Sequence, residues 1–381
     1  MGTLRQLFRN ETNYNFVRAW RYGLVLSGVA IVLSLLSFGL RGLERGIDFV
    51  GGTAWEVPTS ELSVGDTRDV LRSFGLESAK IQVVGGNLVR VQGPTSTTEE
   101  VEEVRQALAA AAGEPADQVA VTQVGPSWGE EISNKAIRAL VFFFIAIAIY
   151  ITWALRDWRM AFGALVAVVH DIIISVGVYS VLQLEVTPAT LIAFLTILGF
   201  SLYDTVVVFD KLRENAAKTA LIGRMTYSEL SSLSMNQVLM RSLNTSITAI
   251  LPVLSILVVG SFILGATTLE EFGVALLVGL LVGAYSSIFV ATPIVVWLKE
   301  RQPQYRQVRQ RLERRPGEVV VPTAAEVAES SGDGPTARAK AAAGGGSAKA
   351  SSSGAPKSGA GAPRPASSTV IPPRPRKQRR R

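Results

Sequence analysis

An aspartate stands inside an apolar run that hydrocarbon would surround. In LGFSLYDTVVVFDKLREN, Leu198 to Asn215, the acid is Asp204. A carboxylate at that depth is costly enough that a specific need must hold it there. Asp171 falls near the middle of a second apolar run, with His170 beside it and Ser175 one turn later. In a third run Arg241, Asn244, Thr245 and Thr248 recur at three- and four-residue spacing, which places all four on one helix face. Ser201, Asn244, Thr245 and Thr248 are read as polar lining beside the charges, facing a bundle interior or a water-filled crevice.

The chemistry open to such a set is proton handling. Desolvation favours the neutral acid and an approaching guanidinium favours the ionised one. A helix movement that brings Arg241 toward Asp204, or takes it away, would therefore couple charge to shape. The plainer alternative is a static buried ion pair that fixes packing. For Asp171 it is a bond to hydroxyls of a neighbouring helix. His170 is read as structural, because adjacent residues diverge by about 100° on a helix.

Other chemistries lack their parts. The chain has one histidine and no cysteine, so thiolate and imidazole metal clusters are out. Gly51-Gly52 after Asp48 is not followed by GxxxxGK[ST], which argues against a phosphate cradle. With no nucleophile, metal cluster or phosphate loop, neither an enzyme nor a cofactor is expected. Gly46, Gly51 and Gly52 around Asp48 are instead read as a hinge or turn.

Six apolar stretches are long enough to span a bilayer and would position these residues: Tyr22 to Leu40, Ala139 to Leu155, Met160 to Leu184, Val186 to Phe209, Asn244 to Leu264 and Phe272 to Leu298. The balance of the 381 residues agrees, with 48% hydrophobic, 18% charged and a mean hydropathy of +0.30. The first stretch is too long for a signal-peptide core and is read as an uncleaved anchor. Lysine and arginine gather in the amino terminus (Arg5, Arg9, Arg18, Arg21), in the turn Arg156 to Arg159 and in the loop from Asp210 to Arg241. The loops at Glu185 and at Gly265 to Glu271 have none, which puts both termini in the cytoplasm. The sixth stretch carries Ala275, Gly279, Gly283, Ser287 and Ala291, a small-residue seam that would let a helix of a second polypeptide approach.

The expected organisation is a cytoplasmic amino terminus (1–21), helix 1 (22–40), an extracytoplasmic α+β domain (41–138), helices 2 to 6 (139–298) and a disordered basic tail (299–381). The domain reads strand, helix, hairpin turning at Gly85-Gly86, helix, strand. With one edge strand short, that order suggests a small ferredoxin-like fold. The tail holds 18 lysines and arginines against 6 acidic residues, so it carries the basicity of a +7 chain. One reading is contact with anionic lipid or the ribosome, and the other is a solvated tail that reinforces topology.

The motifs, taken in order, resemble the SecF family of protein-export subunits within the resistance-nodulation-division superfamily. GIDFVGGT (Gly46 to Thr53), VGPSWGEE (Val124 to Glu131), VVHD (Val168 to Asp171), the Asp204 signature, NQVLMRSLNTS (Asn236 to Ser246) and GAYSSIFVATPIVVWLK (Gly283 to Lys299) carry the likeness. It covers roughly residues 15 to 300 and departs at Tyr203, where the family usually has asparagine. The resemblance implies a bacterial cytoplasmic-membrane protein that works with a SecD-like subunit at a SecYEG-type channel, using the proton gradient to draw preproteins across. It also implies that Asp204 and Arg241 belong to the proton path. A competing reading is a non-energised assembly protein whose outer domain binds substrate like a chaperone while the helices only brace the translocon, a role for which intramembrane charges are unnecessary. An efflux pump is disfavoured, because one six-helix half with one small outer domain leaves little room for a substrate tunnel.

Overall fold

The computed structural model describes residues 14–59, 61–218, 225–263 and 266–314. Arg5, Arg9, loop residues 219–224 and the tail from 315 onward lie outside them. Among the described residues six helices are long and apolar enough to cross a membrane. The first, α1 (Phe16–Arg41), starts where the Asn15 side chain accepts the Arg18 N–H. A two-residue strand β1 (Glu44–Arg45) and a one-turn helix α2 (Ile47–Val50) then lead into an α+β domain.

That domain runs β2 (Gly52–Pro58), α3 (Val64–Arg72), β3 (Lys80–Val84), β4 (Leu88–Gly93), α4 (Thr98–Ala112) and β5 (Ala120–Val124). The strands form one antiparallel sheet in the order β3-β4-β2-β5. Ser63 with Asp66, and Thr97 with Glu100, close capping boxes that satisfy the first free N–H groups of α3 and α4. Trp55, Val57, Leu71, Val89, Val91, Val104 and Leu108 are almost wholly buried between sheet and helices. The Trp55 indole N–H donates to the Val101 carbonyl at 3.1 Å, so the largest core side chain leaves no polar atom unmet.

The remaining spans are α5 (Pro126–Leu155), α6 (Trp158–Leu182), α7 (Pro188–Ala217), α8 (Tyr227–Ser255, continuing as a π-helix over Ile256–Ile263) and α9 (Thr267–Ser286). A π-turn at Ser287–Ala291 joins α9 to α10 (Thr292–Glu300). Helix α5 begins at Pro126, well before residue 139, because its polar first turns are helical although not apolar. Residues 126–138 therefore belong to this helix and not to the α+β domain. Helix α7 sits centrally, packing on α5, α6, α8 and α9. Outward faces of α1 and α5 expose Leu24, Val25, Val29, Phe142, Ile149 and Trp153, as lipid-facing helices do. The turn into α6 is tied to α10 by an ion pair between Asp157 and Lys299. Burial opposes ionisation of Asp157, but the Lys299 bond and the Arg159 N–H outweigh it and hold the carboxyl below its ordinary range.

Three further expectations are revised here. The tail does not lose structure at Lys299: residues Pro303–Arg314 form an amphipathic helix, α11, held by Leu312 burial and by Arg309 bonds to Glu300 and Glu313. Low mean hydropathy hid it, since one apolar stripe suffices to dock a helix. The small-residue seam is filled from within the chain. A Cβ on Gly279 would lie 2.3 Å from Ile197, and one on Gly283 would lie 2.8 Å from Ser201, so α7 occupies that face.

The third concerns the glycines around Asp48, which lies in α2. Gly51 has φ +80 and Gly52 φ +144, and both are packed against backbone. A Cβ on Gly51 would stand 2.8 Å from the Pro126 Cα, one on Gly52 would stand 2.7 Å from the Gly93 carbonyl, and one on Gly129 would stand 2.9 Å from the Phe49 carbonyl. Of the two readings, hinge or turn, these contacts fit the turn: the motifs GIDFVGGT and VGPSWGEE interlock as a packed corner where the chain enters and leaves the domain. We expect Gly51→Val to lower stability by about 2 kcal/mol or more, through backbone strain and overpacking. The recovered yield of folded protein and its melting temperature would measure this, whereas a free hinge would tolerate the change.

Candidate functional site

Asp204 projects from α7 and is only 4% exposed. Two hydroxyls donate to the same oxygen, Oδ2: Ser242 of α8 at 2.9 Å and Ser287 of the π-turn at 2.5 Å. Asp171, on α6 and 1% exposed, has the same pattern. Its Oδ2 accepts from Ser201 of α7 at 2.6 Å and from Ser286 of α9 at 2.9 Å. The structure therefore brings Asp171, Ser201 and Asp204 into one buried polar layer between α6, α7 and α9.

Arg241 does not join it. Its side chain is exposed on the outer face of α8 and donates to the Tyr203 hydroxyl at 3.4 Å. Asn244 and Thr248 are exposed with it, and the hydroxyls of Thr245 and Thr248 donate to carbonyls of their own helix. The helical stripe is real, but it lines the outside of this chain and not the crevice beside Asp204. Residue 242, about 100° round the helix, is the one that faces inward. Tyr203 likewise turns out toward Arg241, so the departure at that position does not touch Asp204.

His170 is also placed differently from expectation. Its Nδ1 lies 3.0 Å from Asp171 Oδ1, and its ring stacks on Tyr285 with centroids 6.3 Å apart. Rotation about the side-chain bonds closes the gap that backbone direction opens. Tyr285 in turn donates to the Gly23 carbonyl of α1 at 2.6 Å and meets the Ser27 hydroxyl at 3.1 Å. Three site residues escaped sequence reasoning: Ser242, Ser286 and Ser287. Serines in an apolar helix read as small packing residues, and only the position of the neighbouring carboxylates shows otherwise.

A second polar layer sits where the α+β domain meets the helix ends. Glu185, 5% exposed, lies in β6 (Glu185–Val186), which pairs in parallel with β1. It accepts from Gln92 at 2.8 Å and pairs with Lys80 at 2.9 Å. Arg90 of β4 bonds Glu271 of α9 at 2.8 Å. A cavity of about 310 Å³ between them is lined by Arg90, Tyr179, Glu185 and Glu271. Among the described residues no cluster of three or more metal-ligating side chains occurs.

Fold and site together define a class: a multi-pass helical membrane protein with an inserted α+β domain and paired carboxylates buried within the membrane bundle. Residues 104–301 match the family model described as protein export membrane protein SecD/SecF, C-terminal. The chain is 39% identical over 314 residues to the protein translocase subunit SecF of Streptomyces coelicolor, covering 82% of this chain and 84% of that one. It is 37% identical to SecF of Mycobacterium tuberculosis, strain H37Rv, over 88% of this chain and 78% of that one. The crystal structure of SecDF from Thermus thermophilus superimposes with a TM-score of 0.69 at 32% identity, covering 77% of this chain and 39% of that one. This chain thus spans about two-fifths of that SecDF chain. The protein belongs to the SecF family of protein translocase subunits.

Proposed function

We propose that this chain works with a SecD-like subunit in the bacterial cytoplasmic membrane and uses the proton gradient to promote preprotein passage through a SecYEG-type channel, with Asp204 taking and releasing the proton. The observation that carries this reading is the bonding of Asp204. A static ion pair would hold a cation against the carboxylate, yet its bonds here come from two serine hydroxyls. A hydroxyl can donate to a carboxylate or accept from a carboxyl, so the pocket accommodates both charge states. Asp171, with His170 and Ser201, is assigned to the same path.

Arg241 stands exposed on a membrane helix, where an unpaired cation is costly. We infer that its counter-charge comes from the SecD-like partner, which would cover Tyr203, Arg241, Asn244 and Thr248. SecDF of Thermus thermophilus, described as a translocon-associated membrane protein, joins two such halves in name. The βαββαβ order with strand order β3-β4-β2-β5 supports a ferredoxin-like domain. The bias of lysine and arginine supports a position for it outside the cell membrane, with both termini in the cytoplasm. Membrane vesicles that hold the complex and export a reporter preprotein test the reading. Export should rise several-fold when a proton gradient acidic on the extracytoplasmic side is imposed and return to the ATP-driven level when a protonophore collapses it. Equal export in both conditions would favour a brace.

A further inference from the structure

We propose that Ser286 and Ser287 are positioning residues that join Asp204 to the His170–Asp171 dyad, so that a change of charge at one carboxylate is felt at the other. The inference rests on the proton-carrying role proposed above for Asp204. The two serines are consecutive, both 0% exposed, and each donates to a different carboxylate on a different helix. Adjacent side chains on a helix diverge by about 100°, which suits one pair of residues to two neighbours. Ser286 reaches Asp171 of α6 and Ser287 reaches Asp204 of α7, so the end of α9 is wedged between the acid-bearing helices.

Each hydroxyl also has a second acceptor within its own helix. Ser286 Oγ lies 3.2 Å from the Gly283 carbonyl, and Ser287 Oγ lies 3.3 Å from the Ala284 carbonyl. An ionised carboxylate makes the stronger, charge-assisted bond, roughly twice as strong as a neutral one. When the carboxylate becomes neutral that preference falls, and the hydroxyl settles on the helix carbonyl without being left unpartnered. The pair is therefore a two-position reporter of charge.

The backbone is built to respond. The π-turn begins at Ser287, and the Thr292 hydroxyl donates to the Ser287 carbonyl at 2.9 Å, fastening the wide turn. Such turns are rare interruptions of α-helix and recur at functional sites. Movement at Ser287 passes to Ser286 through one peptide bond. The other titratable or charged groups around the layer are His170 on Asp171 Oδ1, Tyr285 stacked on His170, and Tyr203 with Arg241 on the outer face.

The test uses the full chain with its SecD-like partner in export-competent vesicles. Ser286→Ala and Ser287→Ala should each reduce gradient-stimulated export at least tenfold while ATP-driven export and abundance hold. The double variant should be no worse than the weaker single, because the residues act as one unit. Ser286→Thr and Ser287→Thr, which keep the hydroxyl, should restore stimulation, an outcome that a packing role for the small side chain would not give. If an alanine variant fails to accumulate, Ser286→Cys or Ser287→Cys, similar in volume but a weaker donor, carries the same expectation. Additive losses, or normal stimulation in the alanine variants alongside loss in Asp204→Asn, would overturn this inference alone. Normal stimulation in Asp204→Asn would overturn the proton-carrying reading and this inference with it.

Discussion

Asp204→Asn is expected to abolish gradient-stimulated export and to leave ATP-driven export unchanged. The substitution keeps the shape of the side chain, and the carboxamide oxygen can still accept from Ser242 and Ser287, which donate at 2.9 and 2.5 Å. Its new amide N–H group is the only addition. What is lost is the ability to take and release a proton, so the helices should pack normally and abundance should stay near that of the parent. The expected effect is a fall of gradient stimulation to background, at least tenfold, read as reporter protected inside vesicles with and without a protonophore. Arg241→Met should also lower stimulation, but through the partner, because Arg241 and Asp204 share no bond within this chain. Its loss should therefore come with weaker capture of the SecD-like subunit, whereas Asp204→Asn should leave that capture intact. Stimulated export that survives Asp204→Asn would remove the carboxylate from the mechanism.

Much of this layout is legible in the sequence for a physical reason. Bilayer thickness demands long apolar runs, and alternation in strands with Gly85-Gly86 between them demands a hairpin, so spans and domain order follow from pattern. The turn at Gly85-Gly86 has positive φ at both residues, as those glycines allow. The site is legible only in part. Asp171 and Asp204 stand out because charge in hydrocarbon is costly, and both are buried as expected. Periodicity put Arg241, Asn244, Thr245 and Thr248 on one face, but it cannot say whether that face looks inward or outward. That depends on how α8 is turned against α7, a tertiary property. The serines failed to register because a hydroxyl in an apolar helix is common and cheap when it bonds its own backbone, as Thr205 does to Ser201. The π-turn at Ser287 has no composition of its own.

The junction between the α+β domain and the helices carries the second large effect. Glu185 has a side chain 3% exposed, and Lys80 is the cation that meets it, at 2.9 Å. Removing one member of a buried pair leaves an uncompensated charge, which costs about 3–5 kcal/mol; Lys80 is a third exposed, so the lower end applies. Lys80→Met should therefore loosen the hairpin β3–β4 from the helix ends, where Gln92 on Glu185 and Arg90 on Glu271 remain to hold it. Cysteines at Val84 and Val274, which line the same cavity, can report docking in a chain that has no cysteine of its own. Their disulfide yield should fall at least tenfold in Lys80→Met. Lys80→Met combined with Glu185→Leu should recover it, because an apolar pair replaces a buried ion pair at little or no loss. The same disulfide decides what the domain does. If force on a preprotein needs the domain to leave its seat, the oxidised tether should stop gradient-stimulated export, and reduction should restore it. If the tethered protein exports normally, the domain acts while docked. The packed corner at Gly51 and the buried charges at Glu185 would then serve as a fixed platform, with the motion confined to the helices around Asp204.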